Sequence, residues 1–163
     1  MTDHTPSQGH ANAAEAPLIQ VRQAVLDDLP TLAHLFDAYR QFYQKPSNVE
    51  GARDFLRARF NHGESVSFVA FDGPTPVGFA QLYPSFSSVS MARTFVLNDL
   101  YVVASHRRRG VGAQLLAAAT AHARALGAVR VTLTTDVRNT TAQATYQAKG
   151  WQRDEAFYVY HFH

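Results

Sequence analysis

The sequence contains no cysteine, no long apolar run and no large excess of charge of either sign. Without cysteine the chain can form neither disulfides nor a thiol nucleophile, and this fits a reducing, cytoplasmic location. The apolar runs stay well below the roughly 18 residues that a membrane-spanning helix needs, so we expect no membrane partner. The formal net charge is +2, and such a mild excess does not indicate a nucleic-acid partner.

The residues that are present suit a single compact domain. The chain has 163 residues, of which 46% are hydrophobic, and this is enough for a substantial core. Residues 1–17 are small, polar and weakly charged, so we expect a flexible tail there and one domain over 18–163. The histidines are scattered, and His161 and His163 form only a two-ligand terminal pair, so we expect no metal site.

Hydrophobic periodicity predicts strands and helices that alternate along the chain. A five-residue loop at 72–76 is typical of a hairpin between two of the strands. The predicted strands cover residues 18–24, 67–71, 77–83, 94–103 and 129–135, with a closing pair at 151–155 and 157–162. The predicted helices cover residues 28–43, 49–61, 111–126 and 139–149. This order of elements predicts an α/β fold.

The most informative segment is the run R-R-R-G-V-G at 107–112, which lies between a predicted strand and a strongly patterned helix. Glycines let the backbone approach a ligand closely, and the free N–H groups of a helix start attract an anion. Guanidinium groups add charge-assisted contacts, so a pyrophosphate is the natural ligand. The alternative is an ordinary glycine turn with a solvated basic edge. The run lacks the patterns typical of nucleoside-triphosphate and dinucleotide sites.

Three motifs together resemble the GNAT acetyltransferases. The pattern R-x-x-G-x-G at 107–112 is similar to that family's coenzyme A pyrophosphate motif, and N-D-L-Y-V at 98–102 resembles its fourth strand. The pattern N-x-x-A-x-x-x-Y at 139–146, followed by K-G-W at 149–151, resembles its next signature. The resemblance implies a GNAT fold, with a single mixed, mostly antiparallel sheet, splayed central parallel strands and flanking helices. Within the family, the chain most resembles the branch that acetylates histones and polyamines.

The resemblance also implies acetyl-CoA as the co-substrate. Backbone groups of Leu100, Tyr101 and Val102 would bind its pantetheine arm, and one N–H would polarise the thioester carbonyl. Asn139 would hydrogen-bond that arm, although an asparagine there also suits a helix N-cap. The full set of implied coenzyme A ligands is Leu100, Tyr101, Val102, Arg107, Arg108, Arg109, Gly110, Val111, Gly112, Ala113, Asn139 and Tyr146.

Two residues are candidates for proton transfer. Tyr146 is the candidate general acid for the departing thiolate, the alternative being an aromatic residue that packs against the sheet. The polyamine enzymes place a glutamate, linked to deprotonation of the amine, where this chain has Asn98, which is no base. Asp99 is the remaining candidate to hold or deprotonate the amine. Because strand side chains alternate faces, we expect Asn98 and Asp99 to point away from each other, one of them being structural.

These residues predict an acetyl-CoA-dependent N-acetyltransferase that acts on a primary amine by direct attack in a ternary complex. The acceptor would be a small amine, a polyamine-like amine or a lysine side chain. A non-catalytic acyl-CoA sensor, which keeps the coenzyme site and lacks the base, is the alternative, and a nucleic-acid module built on the arginine run is a third. We also expect a homodimer, because the aromatic final strand at 157–162 offers an edge to a second chain.

Overall fold

The structure, a computed structural model, describes residues 19–163, so the predicted tail over 1–17 lies outside the described residues. The strands are β1 (Ile19–Gln23), β2 (Val66–Asp72), β3 (Thr75–Ser87), β4 (Ala92–Val102) and β5 (Arg130–Leu133). They form one five-stranded sheet in sequence order. Neighbouring strands are antiparallel except β4 and β5, which run parallel. The predicted single mixed, mostly antiparallel sheet is confirmed.

Helices flank the sheet, and their ends follow local sequence signals. They are α1 (Leu29–Phe42), α2 (Val49–His62), α3 (Val111–Ala125) and α4 (Thr140–Ala148). Asn48 caps α2 by accepting a hydrogen bond from the amide of Gly51 (2.8 Å), and Gly63 ends that helix with a left-handed φ of 61°; both are preferred helix-end residues. Among residues 19–163, no helix is both long and apolar enough to cross a bilayer.

The helices bury the two faces of the sheet in two separate cores. On the face covered by α3, Phe95 and Leu115 are almost fully buried. On the face covered by α1 and α2, the corresponding residues are Leu32, Leu56 and Phe79. Each such side chain contributes about 1.5–3 kcal/mol by leaving water. The two cores fix α1 and α3 on opposite sides of the same sheet, and the residues between β4 and α3 lie where both helices approach it.

The turn between β2 and β3 is tighter than the predicted five-residue loop. Asp72 pairs with Thr75, so only Gly73 and Pro74 lie between the strands. Gly73 has a φ of 57°, a left-handed conformation that glycine adopts at little cost and that shortens the turn. β3 also continues to Ser87, beyond the end of the predicted strand at 77–83.

The predicted closing strands at 151–155 and 157–162 are wrong, because the described chain contains no strand after α4. The side chains beyond residue 156 are exposed; Phe157 retains 80% of its accessible surface and Tyr160 88%. A strand gains hydrogen bonds and burial only beside a partner strand, and this segment pairs with no strand among residues 19–163. Sequence alternation indicates that a segment can pair, but not which edge it pairs with.

Candidate active site

β4 extends beyond its parallel partner β5 at one end of the sheet. Pairing runs from Thr94 opposite Arg130 to Leu97 opposite Leu133, whereas β4 continues to Val102. On its other side β4 stays paired with β3 as far as Val102. Residues 98–102 therefore lie next to no β5 residue, and the two parallel strands separate there, as the predicted splay requires. Leu100, Tyr101 and Val102, predicted to bind pantetheine, all lie on this unpaired stretch.

α3 begins shortly after that stretch, and its first amides are free for an anion. Gly110 is the N-cap, with a left-handed φ of 80° that suits glycine;. The amide of Gln114 donates to the Gly110 carbonyl (3.1 Å), so by position the amides of Val111, Gly112 and Ala113 have no intrahelical acceptor. A Cβ atom at Gly110 would meet nothing within 4 Å, and one at Gly112 nothing closer than 3.8 Å. The start of α3 is therefore uncrowded at both glycines, and free amides at a helix start suit a pyrophosphate.

The three arginines before α3 diverge, although the sequence analysis groups them as one anion site. Arg107 Nε donates to the Val102 carbonyl (2.9 Å), and its guanidinium lies over aromatic rings of α1 and β4. Arg109 lies 3.5 Å from a carboxylate oxygen of Asp72. Arg108 is exposed and has a φ of 59°, which is uncommon outside glycine. Arg107 thus fastens the end of β4 to α1, a role that the sequence did not indicate.

Asp72 also ties the β2–β3 turn to the loop that precedes α3. His106 Nε2 lies 3.0 Å from Asp72 Oδ2, and His106 Nδ1 lies 2.9 Å from the hydroxyl of Ser105. These side chains come from segments more than 30 residues apart in sequence, at the same end of the sheet as Arg109. The contacts hold the loop in place against the sheet, so the start of α3 has a fixed position.

A β-bulge in β4 contradicts the expected alternation of its polar residues. Gln81 of β3 pairs with Asp99, and the next residue, Leu82, pairs with Leu97. Asn98 is therefore an extra residue with no partner on β3. An extra residue shifts the alternation of every later residue in the strand by one position.

The side chains on either side of the bulge show this shift. Leu97 and Leu100 both pack in the core under α3, although their positions differ by three and strict alternation would place them on opposite faces. Tyr101 packs in the opposite core, under α1 and α2. Asn98 Nδ2 donates to Asp99 Oδ1 (3.1 Å), so the two side chains are in contact. The expectation that Asn98 and Asp99 point away from each other is wrong, because the bulge interrupts strict alternation.

Asp99 is a buried carboxylate surrounded by hydrogen-bond donors. Only 3% of the residue is exposed. Gln81 Nε2 donates to Oδ2 (2.9 Å) and Asn98 Nδ2 donates to Oδ1 (3.1 Å). Burial raises the pKa of Asp99 and outweighs the neighbouring donors, which act in the opposite direction;. A carboxylate with a raised pKa is a better proton acceptor near neutral pH.

Sequence analysis missed Gln81, which orients Asp99. Gln81 is fully buried in β3, and its Oε1 accepts from the hydroxyls of Ser65 (3.1 Å) and Ser67 (3.3 Å). Its Nε2 donates to Asp99 and to the hydroxyl of Tyr83 (3.0 Å). A glutamine within the apolar run V-G-F-A-Q-L-Y is a sequence signal for such a network, because buried amides require partners.

Two tyrosines of the α1 region lie close to the candidate residues, although their sequence pattern predicts no catalytic role. The ring centroids of Tyr39 and Tyr43 lie 5.1 Å apart, edge to face. Burial, followed by the charge of Asp99, raises the pKa of Tyr39 far above its ordinary value. Tyr39 therefore keeps its proton at neutral pH.

α4 contributes the remaining candidates. Asn139 Oδ1 accepts from the amide of Ala142 (3.1 Å), so the N-cap alternative is confirmed, and its Nδ2 group is still available to a ligand. Tyr146 packs against the core under α3, with its ring centroid 6.2 Å from that of Trp151. Burial, followed by the neighbouring Tyr43, raises the pKa of Tyr146. Its hydroxyl is therefore protonated at neutral pH and able to donate.

Other charged groups near the site have local roles. Arg138 donates to both carboxylate oxygens of Asp136 (2.8 and 3.1 Å), and these contacts lower the pKa of Asp136 to about 2. Within the described range 19–163, no three histidine or acidic side chains are arranged to hold a metal ion.

Comparison with known proteins identifies the family. The profile of the acetyltransferase (GNAT) family matches residues 32–151. The uncharacterized N-acetyltransferase YhfO of Bacillus subtilis (strain 168) is 43% identical over 142 residues, which cover 87% of this chain and 95% of that protein. A probable acetyltransferase of Haemophilus influenzae is 33% identical over 93 residues, which cover 56% of this chain and 64% of that protein.

Solved structures agree with this assignment. The crystal structure of a probable acetyltransferase matches with a TM-score of 0.83 and 42% identity, over 88% of this chain and 96% of that chain. An aminoglycoside N-acetyltransferase in complex with CoA matches with a TM-score of 0.77 and 21% identity, over 92% of this chain and 98% of that chain, which shows a shared fold. The chain belongs to the GNAT family of N-acetyltransferases.

Proposed function

We propose that this acetyltransferase transfers the acetyl group of acetyl-CoA to a primary amine by direct attack in a ternary complex. The observation that carries the proposal is the unpaired end of β4, which leads into the glycine-started helix α3. An extended pantetheine arm with its amide groups suits an open strand edge, and a pyrophosphate suits a helix start. The GNAT family uses acetyl-CoA, and the aminoglycoside enzyme that shares this fold is in complex with CoA.

The chain offers backbone groups for most coenzyme contacts. Leu100, Tyr101 and Val102 lie where the pantetheine arm would run, and an amide of this stretch would polarise the thioester carbonyl. Asn139 would reach the arm with Nδ2, while its Oδ1 caps α4. The pyrophosphate would be held by the loop and first turn of α3, which comprise Arg107, Arg108, Arg109, Gly110, Val111, Gly112 and Ala113.

Asp99 and Tyr146 would move the protons of the reaction. An ammonium ion has no lone pair, so the amine must lose a proton before it attacks the thioester carbon. The burial that raises the pKa of Asp99 suits a proton acceptor, and the raised pKa of Tyr146 keeps it protonated as the donor to the coenzyme A thiolate;. The amine nitrogen forms a bond to the acetyl carbon, the carbon–sulfur bond breaks, and the thiolate takes the proton of Tyr146. The second proton of the nitrogen then passes to the Tyr146 oxygen, which restores the phenol.

The acceptor in this proposal is a cationic primary amine. A small amine, a polyamine-like amine or a lysine side chain would each be attracted by the buried carboxylate of Asp99. The resemblance of the chain to the histone and polyamine branch supports the same class. The absence of cysteine supports action in the cytoplasm.

We further propose that the protein is a homodimer joined through its C-terminal segment, residues 157–162. This segment carries five large apolar side chains that are all at least 71% exposed, namely Phe157, Tyr158, Val159, Tyr160 and Phe162. Within residues 19–163, β5 pairs with β4 on one side and with no strand on the other. A free sheet edge and an apolar segment without a partner are complementary, and pairing between two chains would satisfy both.

A coenzyme binding assay and an acceptor screen test the enzymatic proposal. Calorimetry is expected to show binding of coenzyme A, and much weaker binding of pantetheine, which lacks the pyrophosphate. Thiol release from acetyl-CoA is then measured across polyamines, aminoglycosides, amino acids and lysine peptides, with mass spectrometry of the products. Release with at least one amine is the expected result. Coenzyme A binding without turnover of any amine would instead indicate a sensor, and absence of binding would remove the basis for both functions.

A further inference from the structure

Gln81 uses the full hydrogen-bonding capacity of its side-chain amide in the middle of the sheet. Its Nε2 group donates to Asp99 Oδ2 (2.9 Å) and to the hydroxyl of Tyr83 (3.0 Å). Its Oε1 atom accepts from the hydroxyls of Ser65 (3.1 Å) and Ser67 (3.3 Å). A primary amide has two donor hydrogens and two acceptor lone pairs. Because Gln81 is fully buried, every one of these groups depends on its protein partner.

The four partners of Gln81 respond differently to a change of charge. The hydroxyls of serine and tyrosine both donate and accept, so each can reverse the direction of its hydrogen bond. An ionised carboxylate only accepts, whereas a protonated carboxyl group carries an O–H that donates. The charge of Asp99 therefore decides which end of the amide faces it. The ionised form requires Nε2, and the protonated form requires Oε1.

We propose that Gln81 is a positioning residue whose amide flips when Asp99 takes a proton from the amine and flips back when Asp99 releases it. The inference rests on the proposed function, in which Asp99 is the proton acceptor. A half-turn of the amide about its last bond exchanges the places of Nε2 and Oε1. After the flip, Oε1 accepts from the Oδ2–H group of Asp99 and from the hydroxyl of Tyr83, and Nε2 donates to the two serine hydroxyls.

Both orientations of the amide satisfy the polar atoms of the network. Asn98 Nδ2 lies 3.1 Å from Asp99 Oδ1, and this oxygen remains an acceptor when the proton is on Oδ2. An unpaired buried polar group is costly, and neither charge state of Asp99 creates one. In this step the amine loses one N–H bond and keeps the electron pair, Asp99 Oδ2 gains an O–H bond, and no other group changes its number of protons.

Asp99 is the group of the network that changes its charge below neutral pH. The other ionisable side chains around it are Tyr39 of α1 and Tyr83 of β3, with Arg59 of α2 near Tyr83. Burial raises the pKa of Tyr39 and raises that of Tyr83 to about 12, so both phenols keep their protons. A flip of the Gln81 amide at lower pH would therefore report on Asp99.

NMR spectroscopy of the parent protein tests the flip without an amine substrate. The Nε2 resonance of Gln81, assigned by its loss in Q81M, should shift with pH at the same midpoint as the carboxyl carbon of Asp99. The amide protons should show NOE contacts to the Tyr83 ring above that midpoint and to the β-protons of Ser67 below it. In D99N the side chain at this position cannot ionise, so the Gln81 resonance should not titrate.

Kinetics on the best amine of the acceptor screen test the positioning role. Q81M removes the donor to Asp99 Oδ2 and should lower kcat about 10-fold, the scale of one hydrogen bond to a charged group, with little change in the KM for acetyl-CoA. The acid limb of its pH–rate profile should move to higher pH, because the ionised carboxylate has lost a donor.

Q41M is the matched control, because Gln41 Nε2 also donates to an aspartate oxygen at 2.9 Å, that of Asp37, and this pair belongs to α1. Q41M should change kcat by less than about threefold and leave the acid limb in place. Thermal unfolding and calorimetry with coenzyme A verify that Q81M and Q41M are folded. If Q81M does not fold, the Gln81 resonance is assigned from backbone connectivities and the parent's NMR titration decides the question.

Three results would overturn the inference: a Gln81 amide that keeps its contacts through the midpoint of Asp99, an Asp99 carboxyl carbon that does not titrate in the folded protein, or equal kcat values and acid limbs in Q81M and Q41M. If the parent acetylates no amine while the Gln81 amide follows the charge of Asp99, the proposed function fails and the flip stands. If the parent acetylates an amine and the amide does not flip, only this inference fails.

Discussion

The hydroxyl of Tyr146 is half-buried on α4 beside Trp151, and its pKa is raised by burial and by Tyr43. If this phenol protonates the thiolate, Y146F should lower kcat by about 10²–10⁴-fold, the range for loss of a general acid. The ring remains in Y146F, so packing and coenzyme A affinity should stay close to those of the parent. Rapid-quench and steady-state assays of thiol release measure the change in kcat, and calorimetry measures the affinity for coenzyme A.

An equivalent change outside the site serves as the comparison for Tyr146. Y160F removes a hydroxyl that is 88% exposed on the C-terminal segment and should leave kcat unaltered. A Y146F variant with parental kcat would show that Tyr146 is only a packing residue.

Asp37 is a second residue-scale feature, because its buried carboxylate joins α1 to α2. It accepts from the amide of Asn48 (2.7 Å), the hydroxyl of Ser47 (2.7 Å) and Gln41 Nε2 (2.9 Å). Burial raises the pKa of Asp37, but the hydrogen-bond donors together lower that pKa by a larger amount. The pKa of Asp37 therefore lies below its ordinary value. Such a carboxylate stabilises the fold above its unfolded pKa, near 3.9, and loses that contribution as the pH falls through the folded value.

D37A should therefore cost about 2–4 kcal/mol at pH 7, because several donors to a charged group lose their acceptor. The difference in unfolding free energy between parent and D37A should shrink as the pH falls below about 4. Urea unfolding at several pH values measures both effects. S47A, which removes a single donor, should cost only about 1 kcal/mol. Equal midpoints for D37A and the parent at pH 7 would contradict this account.

Sequence reasoning reached Asp99 and Tyr146 but not their environment. Both residues belong to motifs that are contiguous in sequence, so resemblance and spacing were enough to select them. The contact of Asn98 with Asp99 depends on a bulge, which arises from the register of β4 against β3 and leaves no mark in β4 alone. Tyr39 lies about 60 residues before Asp99 in the sequence, and only the packing of α1 on the sheet brings the two side chains close together.

At the scale of elements, the start of α3 is the feature that the proposed coenzyme site depends on. Gly110 precedes α3 with a φ of 80°, and Gly127 follows it with a φ of 71°. A Cβ at either position would meet no atom within 4 Å. G110A and G127A should therefore cost similar stability, about 1–2 kcal/mol each, from the left-handed backbone.

Only one of these two glycines lies where a pyrophosphate would approach. G110A should weaken coenzyme A binding about 10-fold or more, which corresponds to roughly 1.4 kcal/mol, because the new Cβ occupies the space before the free amides. G127A should leave the dissociation constant unchanged. Calorimetric titrations of both variants with coenzyme A measure these affinities, and the melting temperature of each variant is compared with that of the parent. Equal affinities for coenzyme A in G110A and G127A would place the pyrophosphate elsewhere.

Elements with local signals were predicted well, and elements that depend on distant partners were not. α2 has a capping asparagine and a terminating glycine, and its predicted range of 49–61 differs from the structure by one residue. The β2–β3 turn was predicted three residues too long, because aspartate and proline are common turn residues. The pairing of Asp72 with Thr75 and of Phe71 with Pro76 instead places these residues in the strands. The closing strands were predicted wrongly for the same reason, since residues 151–162 pair with none of the strands described among residues 19–163.

At the scale of the whole molecule, the described chain leaves an apolar segment and a sheet edge without partners. The alternating side chains of residues 157–162 are suited to a strand, and Val159, with 71% of its surface exposed, lies near its middle. Proline at this position removes a ladder donor and fixes φ, so V159P would interrupt pairing with another chain. In a single chain the side chain of Val159 is exposed to solvent, so its substitution should preserve the fold of each protomer.

If the proposed homodimer forms, the parent should sediment as a dimer at micromolar concentration. The dimer dissociation constant of V159P should be at least about 10-fold higher than that of the parent, a difference of roughly 1.4 kcal/mol. V159T is the matched control, because threonine keeps the β-branched shape and the backbone donor; it should remain dimeric. Coenzyme A affinity separates association from misfolding, since monomeric V159P should bind the coenzyme like the parent if each protomer carries a complete site. A parent protein that sediments as a monomer, or a V159P protein that self-associates as strongly as V159T, would show that the C-terminal segment does not join two chains.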